Sequence, residues 1–165
     1  MSGVTIGSHG LKVVLVRPQI PPNTGQIARL CVAAGAELHL VRPLGFVLSD
    51  RQLKRAAMDY WQRLKLTVHD DLEAFLKVVG SDKLWMFSSG GQRSFWEAKI
   101  LPSEWLVFGN ETQGLPDSML ESRPERVLRI DQVPGERCLN LSSAVGLGLY
   151  EALRQIRARD HFPRQ

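Results

Sequence analysis

The chain has 165 residues, of which 44% are hydrophobic and 23% charged, as expected for one globular domain with its own core. It contains no apolar run of about 18 residues and no signal-peptide pattern, so neither a transmembrane helix nor a secretory leader is predicted. The net charge of +4 is compatible with a phosphate-bearing partner without requiring one. The two cysteines, Cys31 and Cys138, form no CxxC pair, which favours reduced thiols and a cytoplasmic protein.

The first predicted elements are a strand and a helix separated by a proline-rich segment. Lys12–Val16 is rich in β-branched residues and predicts the first strand. Three prolines within residues 17–22 predict an extended loop. Asn23 and Thr24 then supply capping side chains for a helix from about residue 25 to 34, and Gly35 ends it.

The middle of the chain continues the alternation. Glu37–Val41 predicts the second strand, and Ser49 is a candidate N-cap for a helix that runs to about Trp61. The exposed side of that helix would carry Arg51, Lys54 and Arg55. Residues 64–68 predict the third strand, and Asp70 with Glu73 resembles a capping box for a short helix to about residue 78.

The second half of the chain contains three more predicted strands, at residues 84–87, 104–108 and 127–130. Residues 88–94 predict a flexible loop, and residues 109–114 a tight loop bounded by two glycines and followed by a helix with Pro116 in its first turn. A last helix is predicted from about Asn140 to Ala158. Its apolar stripe consists of Leu141, Val145, Leu149 and Leu153.

Strands that alternate with helices indicate an α/β fold with a mostly parallel sheet flanked by helices. We expect one domain over residues 12–158, a flexible lead-in over residues 1–11 and a tail over residues 159–165. The sequence contains no P-loop, no GxGxxG after a strand, no metal-binding motif and no GxSxG elbow.

Three polar segments each follow a predicted strand. They are Asn23-x-Gly25-x-x-x-Arg29, Gly109-Asn110-Glu111-x-x-Gly114-Leu115 and Arg137-Cys138-Leu139-Asn140-Leu141-Ser142. Open α/β sheets bind ligands at such strand ends, although spacing alone is equally compatible with ordinary strand-to-helix turns. Arg29 has two interpretations: a long side chain whose head reaches water, or a guanidinium that grips a phosphate or carboxylate.

Together these segments resemble the signature motifs of the SPOUT superfamily of knotted RNA methyltransferases. The match is close to the minimal TrmL (YibK-like) branch, the tRNA wobble-nucleotide 2'-O-methyltransferases. It extends from about residue 12 to 156 and includes Pro21-Pro22-Asn23-Thr24-Gly25, Arg29-Leu30-Cys31, Leu38-His39-Leu40, Pro43-Leu44-Gly45-Phe46, Leu53-Lys54-Arg55, Asp59-Tyr60, Phe108-Gly109-x-Glu111-Thr112-x-Gly114-Leu115-Pro116, Asn140-Leu141-Ser142 and Tyr150-Glu151-Ala152.

The resemblance implies a deep C-terminal trefoil knot, an obligate homodimer and S-adenosylmethionine as methyl donor, with S-adenosylhomocysteine as product. No membrane or metal is implied. The cofactor pocket would be formed by Phe87, Gly109, Gly114, Ile130, Cys138 and Leu139.

The reaction that the resemblance implies is 2'-O-methylation of cytidine or uridine 34 in the tRNA anticodon loop. The catalytic group would be Arg29 with Asn23, Glu111 and Asn140. A guanidinium rarely releases its proton, so orienting the 2'-hydroxyl and a phosphate is a physically easier role for Arg29 than deprotonation. Glu111 would hold Arg29 or a neighbouring loop, or be purely structural.

The anticodon stem-loop would be contacted by Arg137, Tyr150, Arg55 and Arg154, and by the basic clusters at residues 51–65 and 154–164. Two positions depart from the family pattern: Cys138 stands where many relatives have Ser, and Asn110 where close relatives often have Pro. The alternatives are a SPOUT methyltransferase for another tRNA or rRNA position, a knotted RNA-binding module without catalysis, and a nucleotide-binding α/β protein of unrelated chemistry.

Overall fold

The computed structural model describes residues 6–48, 60–80 and 83–161. Within these ranges the chain forms a seven-stranded sheet in which every strand pairing is parallel. The strands are β1 Lys12–Val16, β2 Glu37–Val41, β3 Leu66–His69, β4 Leu84–Phe87, β5 Arg93–Ser94, β6 Trp105–Phe108 and β7 Val127–Arg129. The helices are α1 Pro21–Ala34, α2 Leu72–Val79, α3 Asp117–Ser122 and α4 Leu141–His161.

The strand order in the sheet is β3-β2-β1-β6-β4-β7-β5. Successive residues of a strand face opposite sides of the sheet, so each strand feeds two cores. Val13 and Leu15 pack with α1 and α4 on one side, whereas Val14 and Val16 pack with α2 and α3 on the other. The predicted α/β architecture with a mostly parallel sheet is therefore confirmed, and helices cover both faces.

The start of α1 differs from the prediction. The helix begins at Pro21, not near Gly25, and Asn23 and Thr24 are buried residues of its first turn rather than caps. Proline is tolerated there because the first N–H groups of a helix have no intrahelical partner. The predicted end of the helix is confirmed. Gly35 adopts φ 71°, and its N–H donates to the carbonyls of Cys31 and Val32 in the last turn.

The cap of α2 lies one residue later than predicted. Asp71, not Asp70, accepts a hydrogen bond from the Ala74 N–H at 2.7 Å. Glu73 does not close a capping box but pairs with Lys77 one turn further on. The helix predicted from Ser49 to about Trp61 lies largely outside the described residues, which resume in a 3₁₀ turn over Trp61–Arg63.

The predicted loop over residues 88–94 ends in a short strand, β5, and is followed by a 3₁₀ turn over Phe95–Glu97. Sequence periodicity does not reveal a two-residue strand. The described part of the expected lead-in is packed from His9 onward, because His9 is buried and its Nε2 donates to the Ala34 carbonyl at 2.7 Å. Helix α4 continues to His161, beyond the predicted end at residue 158. Among the described helices, none is long and apolar enough to cross a membrane.

Candidate active site

A cavity of about 620 Å³ opens at the carboxyl ends of β4, β6 and β7. Its walls are the loops that follow these three strands, together with the first turns of α1 and α4. Phe87 and Phe108 end β4 and β6, and their rings stack 4.5 Å apart beneath the cavity. Parallel strands that end side by side thus place three loops around one concave site, as is common in α/β proteins.

The loop over residues 109–114 bends tightly at the edge of this cavity. A Cβ atom on Gly109 would lie 1.9 Å from the backbone carbonyl carbon of Gly114, so only glycine fits at residue 109. The Asn110 side-chain oxygen accepts hydrogen bonds from the Thr112 N–H at 3.1 Å and from the Gln113 N–H at 2.7 Å. Asn110 therefore fixes the loop through its side-chain hydrogen bonds.

Glu111 joins this loop to the entry of α1. Its carboxylate accepts from the backbone N–H groups of Gln19 at 2.9 Å and Ile20 at 3.1 Å, and from the Asn23 side-chain amide at 3.3 Å. Because Pro21 and Pro22 have no N–H groups, the carboxylate binds the last donors available before the helix. Of the alternatives left open by the sequence, the structure gives the neighbouring loop, and not Arg29, as the partner of Glu111.

Asn23 continues the connection to α4. Its side-chain oxygen accepts from the Asn140 amide at 3.0 Å, and the Asn140 oxygen accepts from the Ser142 N–H at 2.8 Å. The Ser142 hydroxyl donates to Gln26 of α1 at 2.8 Å. The three polar segments of the sequence thus meet in one hydrogen-bonded network.

The loop over residues 131–140 is exposed along its whole length and is anchored at its start. The Asp131 carboxylate accepts from the Ser94 hydroxyl, and from the Arg129 guanidinium at 3.1 and 2.9 Å. These hydrogen bonds, from Ser94 first and Arg129 second, lower the pKa of Asp131. The Arg129 Nη1 also donates to the Gly91 carbonyl, which ties this loop to the loop after β4.

Nine of the predicted site residues line the cavity. They are Asn23, Phe87, Gly109, Glu111, Gly114, Ile130, Cys138, Leu139 and Asn140. Arg29 does not line the cavity of its own chain and is exposed. It lies about 9 Å further along α1 than Asn23 and about 240° around the helix axis.

The residues predicted to contact RNA differ in their exposure and in their ion pairing. Arg137 and Tyr150 are exposed, with 47% of Tyr150 accessible. Arg154 pairs with Glu151 through hydrogen bonds of 2.8 and 2.9 Å, so its charge is already partly compensated. Arg55 lies outside the described residues.

Sequence reasoning missed Ser88, Ser89 and Gly90, which form part of the cavity wall. It identified these residues only as a flexible loop. Their position directly after a buried strand is the signal that points to the site, since the other two cavity loops have the same placement.

The cavity fits S-adenosylmethionine in size and in the chemistry of its walls. Its volume lies within the range of pockets for drug-sized ligands, about 300–1,000 Å³. Phe87, Ile130 and Leu139 offer apolar surface, and the tight loop over residues 109–114 brings backbone groups close to a bound molecule. Within residues 6–48, 60–80 and 83–161, no group of three or more His, Cys, Asp or Glu side chains is arranged to hold a metal ion.

Comparisons with known proteins agree with this architecture. The model of the SpoU rRNA Methylase family matches residues 10–150. A tRNA (cytidine(34)-2'-O)-methyltransferase of Burkholderia ambifaria is 44% identical over 146 residues, covering 87% of this chain and 94% of that protein.

Two solved structures are also similar. One, from work on the 2-OH methylation of C/U34 on tRNA, superposes with a TM-score of 0.88 at 44% identity and covers 93% of this chain and all of that one. An AdoMet-bound rRNA methyltransferase of Sinorhizobium meliloti superposes with a TM-score of 0.78 at 25% identity, covering 98% of this chain and 60% of that one.

Proposed function

The chain belongs to the SpoU rRNA methylase family, and we propose that it methylates the ribose 2'-oxygen of the wobble nucleotide, cytidine or uridine 34, in tRNA. The observation that carries this proposal is the cavity at the ends of β4, β6 and β7, in which all three polar segments of the sequence converge. The name of the Burkholderia relative, 94% of which this chain covers, specifies 2'-O-methylation of cytidine 34 in tRNA.

S-adenosylmethionine, when bound, supplies a methyl group that is already activated by its sulfonium. Phe87, Ile130, Cys138 and Leu139 would hold this cofactor, with backbone groups near Gly109 and Gly114 against its polar atoms. The AdoMet-bound relative from Sinorhizobium meliloti supports this choice of cofactor. Cys138 is an exposed free thiol that lines the cavity.

The transfer would form a bond between the ribose 2'-oxygen and the methyl carbon and break the bond between that carbon and the sulfonium sulfur, so that S-adenosylhomocysteine leaves and the hydroxyl proton passes to solvent. With an activated donor, the protein mainly has to align the two reactants. The Glu111–Asn23–Asn140 network fixes the floor of the site on three different segments of the chain. Arg29 would orient the 2'-hydroxyl and an adjacent phosphate through its N–H donors.

The homodimer that the resemblance implies is part of the proposal. Arg29 is exposed and does not line the cavity of its own chain, so we assign it to the cavity of a second copy. Exposed apolar side chains would become covered on dimerisation, namely Ile20 and Leu139 at the cavity and Leu147 and Tyr150 on α4. The trefoil knot stays a prediction of the same resemblance.

Exposed basic residues would hold the anticodon stem-loop through its phosphates, including Arg137 and, outside the described residues, Arg55. Tyr150 would contact either the RNA or the second copy. A tRNA substrate and unpaired cysteines together favour the cytoplasm as the place of action.

The proposal is tested with purified protein, radiolabelled S-adenosylmethionine and bulk tRNA from cells that lack their own wobble methylase, followed by mapping of the methylated nucleotide. Label at the ribose of nucleotide 34 is the expected result. Label at another nucleotide would show that the enzyme methylates a different position. Cofactor binding without any label on tRNA would favour the knotted RNA-binding module without catalysis.

Arg29→Ala tests the role of the guanidinium. We expect the single-turnover rate to fall about 100-fold or more, as when a charge-stabilising donor is removed from an active site, with unchanged S-adenosylhomocysteine binding. Because Arg29 is exposed, the melting temperature should not change, and an unchanged rate in the folded variant contradicts the assigned role.

A further inference from the structure

The guanidinium of Arg29 lies over the ring of Tyr60, with its carbon 5.1 Å from the ring centroid. Tyr60 precedes the 3₁₀ turn over Trp61–Arg63, which packs against α1, and its side chain is half-buried. The guanidinium of Arg63 lies 5.5 Å from the same centroid, and the Arg63 N–H donates to the Tyr60 carbonyl at 2.9 Å. One aromatic ring therefore carries two cations at the surface of α1.

This contact answers a question that the predicted site leaves open, namely what orients Arg29. Glu111 bonds the loop before α1 instead, and among the described residues no carboxylate forms an ion pair with Arg29. A long exposed side chain without such a partner samples many rotamers, and ordering it costs entropy. A ring beneath the guanidinium reduces that cost before any substrate binds.

The type of contact also matters for the chemistry. A carboxylate partner would occupy the N–H donors at the edge of a guanidinium, whereas an aromatic ring interacts with its face and leaves those donors open. Two guanidinium groups gathered on one ring also produce a local positive potential that attracts a phosphodiester. The arrangement thus suits a cation that must remain available to an RNA backbone.

We propose that Tyr60 is a positioning residue, whose ring holds the Arg29 guanidinium ready for the ribose-phosphate of the RNA substrate. The proposal rests on the function proposed above, because it assigns Arg29 to the substrate. Tyr60 itself touches neither reactant, and it acts through the π face of its ring rather than through its hydroxyl.

Two substitutions separate these features of Tyr60. Tyr60→Phe removes the hydroxyl and keeps the ring, so we expect a single-turnover rate within about twofold of the wild type. Tyr60→Leu keeps an apolar side chain without a ring, and the rate should fall about two- to fivefold, the range that an exposed cation–π contact supplies. Binding of S-adenosylhomocysteine and the melting temperature should stay unchanged in both variants.

The same substitutions in an Arg29→Ala background show whether Tyr60 acts through Arg29. If it does, Tyr60→Leu causes no further loss of rate once the guanidinium is absent. A general structural role would lower the rate equally in both backgrounds, and that result would overturn the proposal. An equal loss in Tyr60→Phe and Tyr60→Leu would also overturn it, since the hydroxyl would then be the active feature.

A readout without substrate keeps this inference separate from the proposed function. In ¹⁵N-labelled protein the Arg29 Nε–H signal, assigned by its absence in Arg29→Ala, should be shifted by the ring current of Tyr60. The shift should persist in Tyr60→Phe and disappear in Tyr60→Leu. A signal that is the same in all three proteins refutes the positioning contact whatever the activity, whereas a shifted signal in a protein inactive on tRNA supports the contact and contradicts the proposed function.

Discussion

At the scale of single residues, Glu111 connects two of the three segments that form the site. Its carboxylate accepts three hydrogen bonds, two of them from backbone N–H groups that precede α1. Backbone donors near a helix start favour a negative charge, so the ionised carboxylate matches its surroundings. Glu111 therefore acts first on the geometry of the cavity and only through that geometry on catalysis.

Glu111→Gln is expected to destabilise the fold by about 1–2 kcal/mol, because the amide keeps one acceptor oxygen and turns an NH₂ group towards backbone donors. The free energy of unfolding in urea measures this loss. Glu121→Gln on α3 is the matched control, since Glu121 is an exposed carboxylate away from the cavity, and its stability should not change. Equal stability of Glu111→Gln and the wild type would contradict the structural role.

At the scale of secondary-structure elements, α4 packs tightly against the sheet at Gly148. A Cβ atom there would lie 3.0 Å from the Phe87 ring and 3.1 Å from the Phe108 ring. Both rings lie at the base of the cavity. The spacing between this helix and the sheet thus affects the shape of the cavity that we propose to hold the cofactor.

Gly148→Val should therefore weaken both folding and cofactor binding. Overpacking against two stacked rings is expected to cost about 1–3 kcal/mol of stability, and the displaced Phe87 ring should raise the dissociation constant for S-adenosylhomocysteine. Thermal unfolding and calorimetric titration measure the two effects.

Gly146→Ala on the same helix is the control for this substitution. Its Cβ would meet only Leu30 at 3.8 Å, so replacing a helical glycine should stabilise the chain by up to about 1 kcal/mol and leave binding unchanged. If Gly148→Val binds S-adenosylhomocysteine as tightly as Gly146→Ala does, the packing at Gly148 does not shape the pocket.

The edge strand β3 and its neighbour β2 carry a buried histidine pair, His69 and His39. His39 Nδ1 lies 3.0 Å from His69 Nε2, and His39 Nε2 is 3.6 Å from the Glu37 carboxylate. Burial, and secondly the neighbouring His69, lower the pKa of His39 to about 4, against the raising effect of Glu37. Burial lowers the pKa of His69 as well.

Stability should therefore depend on pH between about 6.5 and 4. In this window the unfolded chain binds a proton at His39 and the folded chain does not, so stability is greatest above pH 6.5 and falls as the pH decreases. The loss from His39 is at most about 3 kcal/mol. The free energy of unfolding, measured with urea at several pH values in this range, should depend less on pH in His39→Leu than in the wild type. An equal pH dependence in both proteins would refute the role of His39.

The sequence predicted strand positions well because buried parallel strands appear as short apolar runs. It predicted α1 too short, since three prolines in six residues seemed incompatible with a helix although two of them occupy its first turn. The predicted site residues could be located at strand ends from the chain order alone. The partners of these residues could not be predicted from the sequence. The Gln19 N–H donates to Glu111 and Arg29 contacts Tyr60, and both pairs are distant in the chain.

At the scale of the whole molecule, Asn23, Glu111 and Asn140 line the cavity of one chain, whereas Arg29 does not. In a symmetric dimer each surface patch occurs twice, so a residue that lies outside one cavity is available to the cavity of the other chain. The proposed homodimer would then contain two composite sites, each with Asn140 from one chain and Arg29 from its partner.

Heterodimers of two defective chains test this composite arrangement. Arg29→Ala and Asn140→Ala chains, co-expressed with different affinity tags and purified over both, place one mutation in each subunit. If Arg29 serves the partner's cavity, one site of the heterodimer has both wild-type residues and the other has neither, so about half of the wild-type activity per dimer should return. If Arg29 serves its own cavity, each site carries one defect, and the heterodimer should be as inactive as the two mutant homodimers. Failure to recover any doubly tagged species would instead refute the homodimer itself.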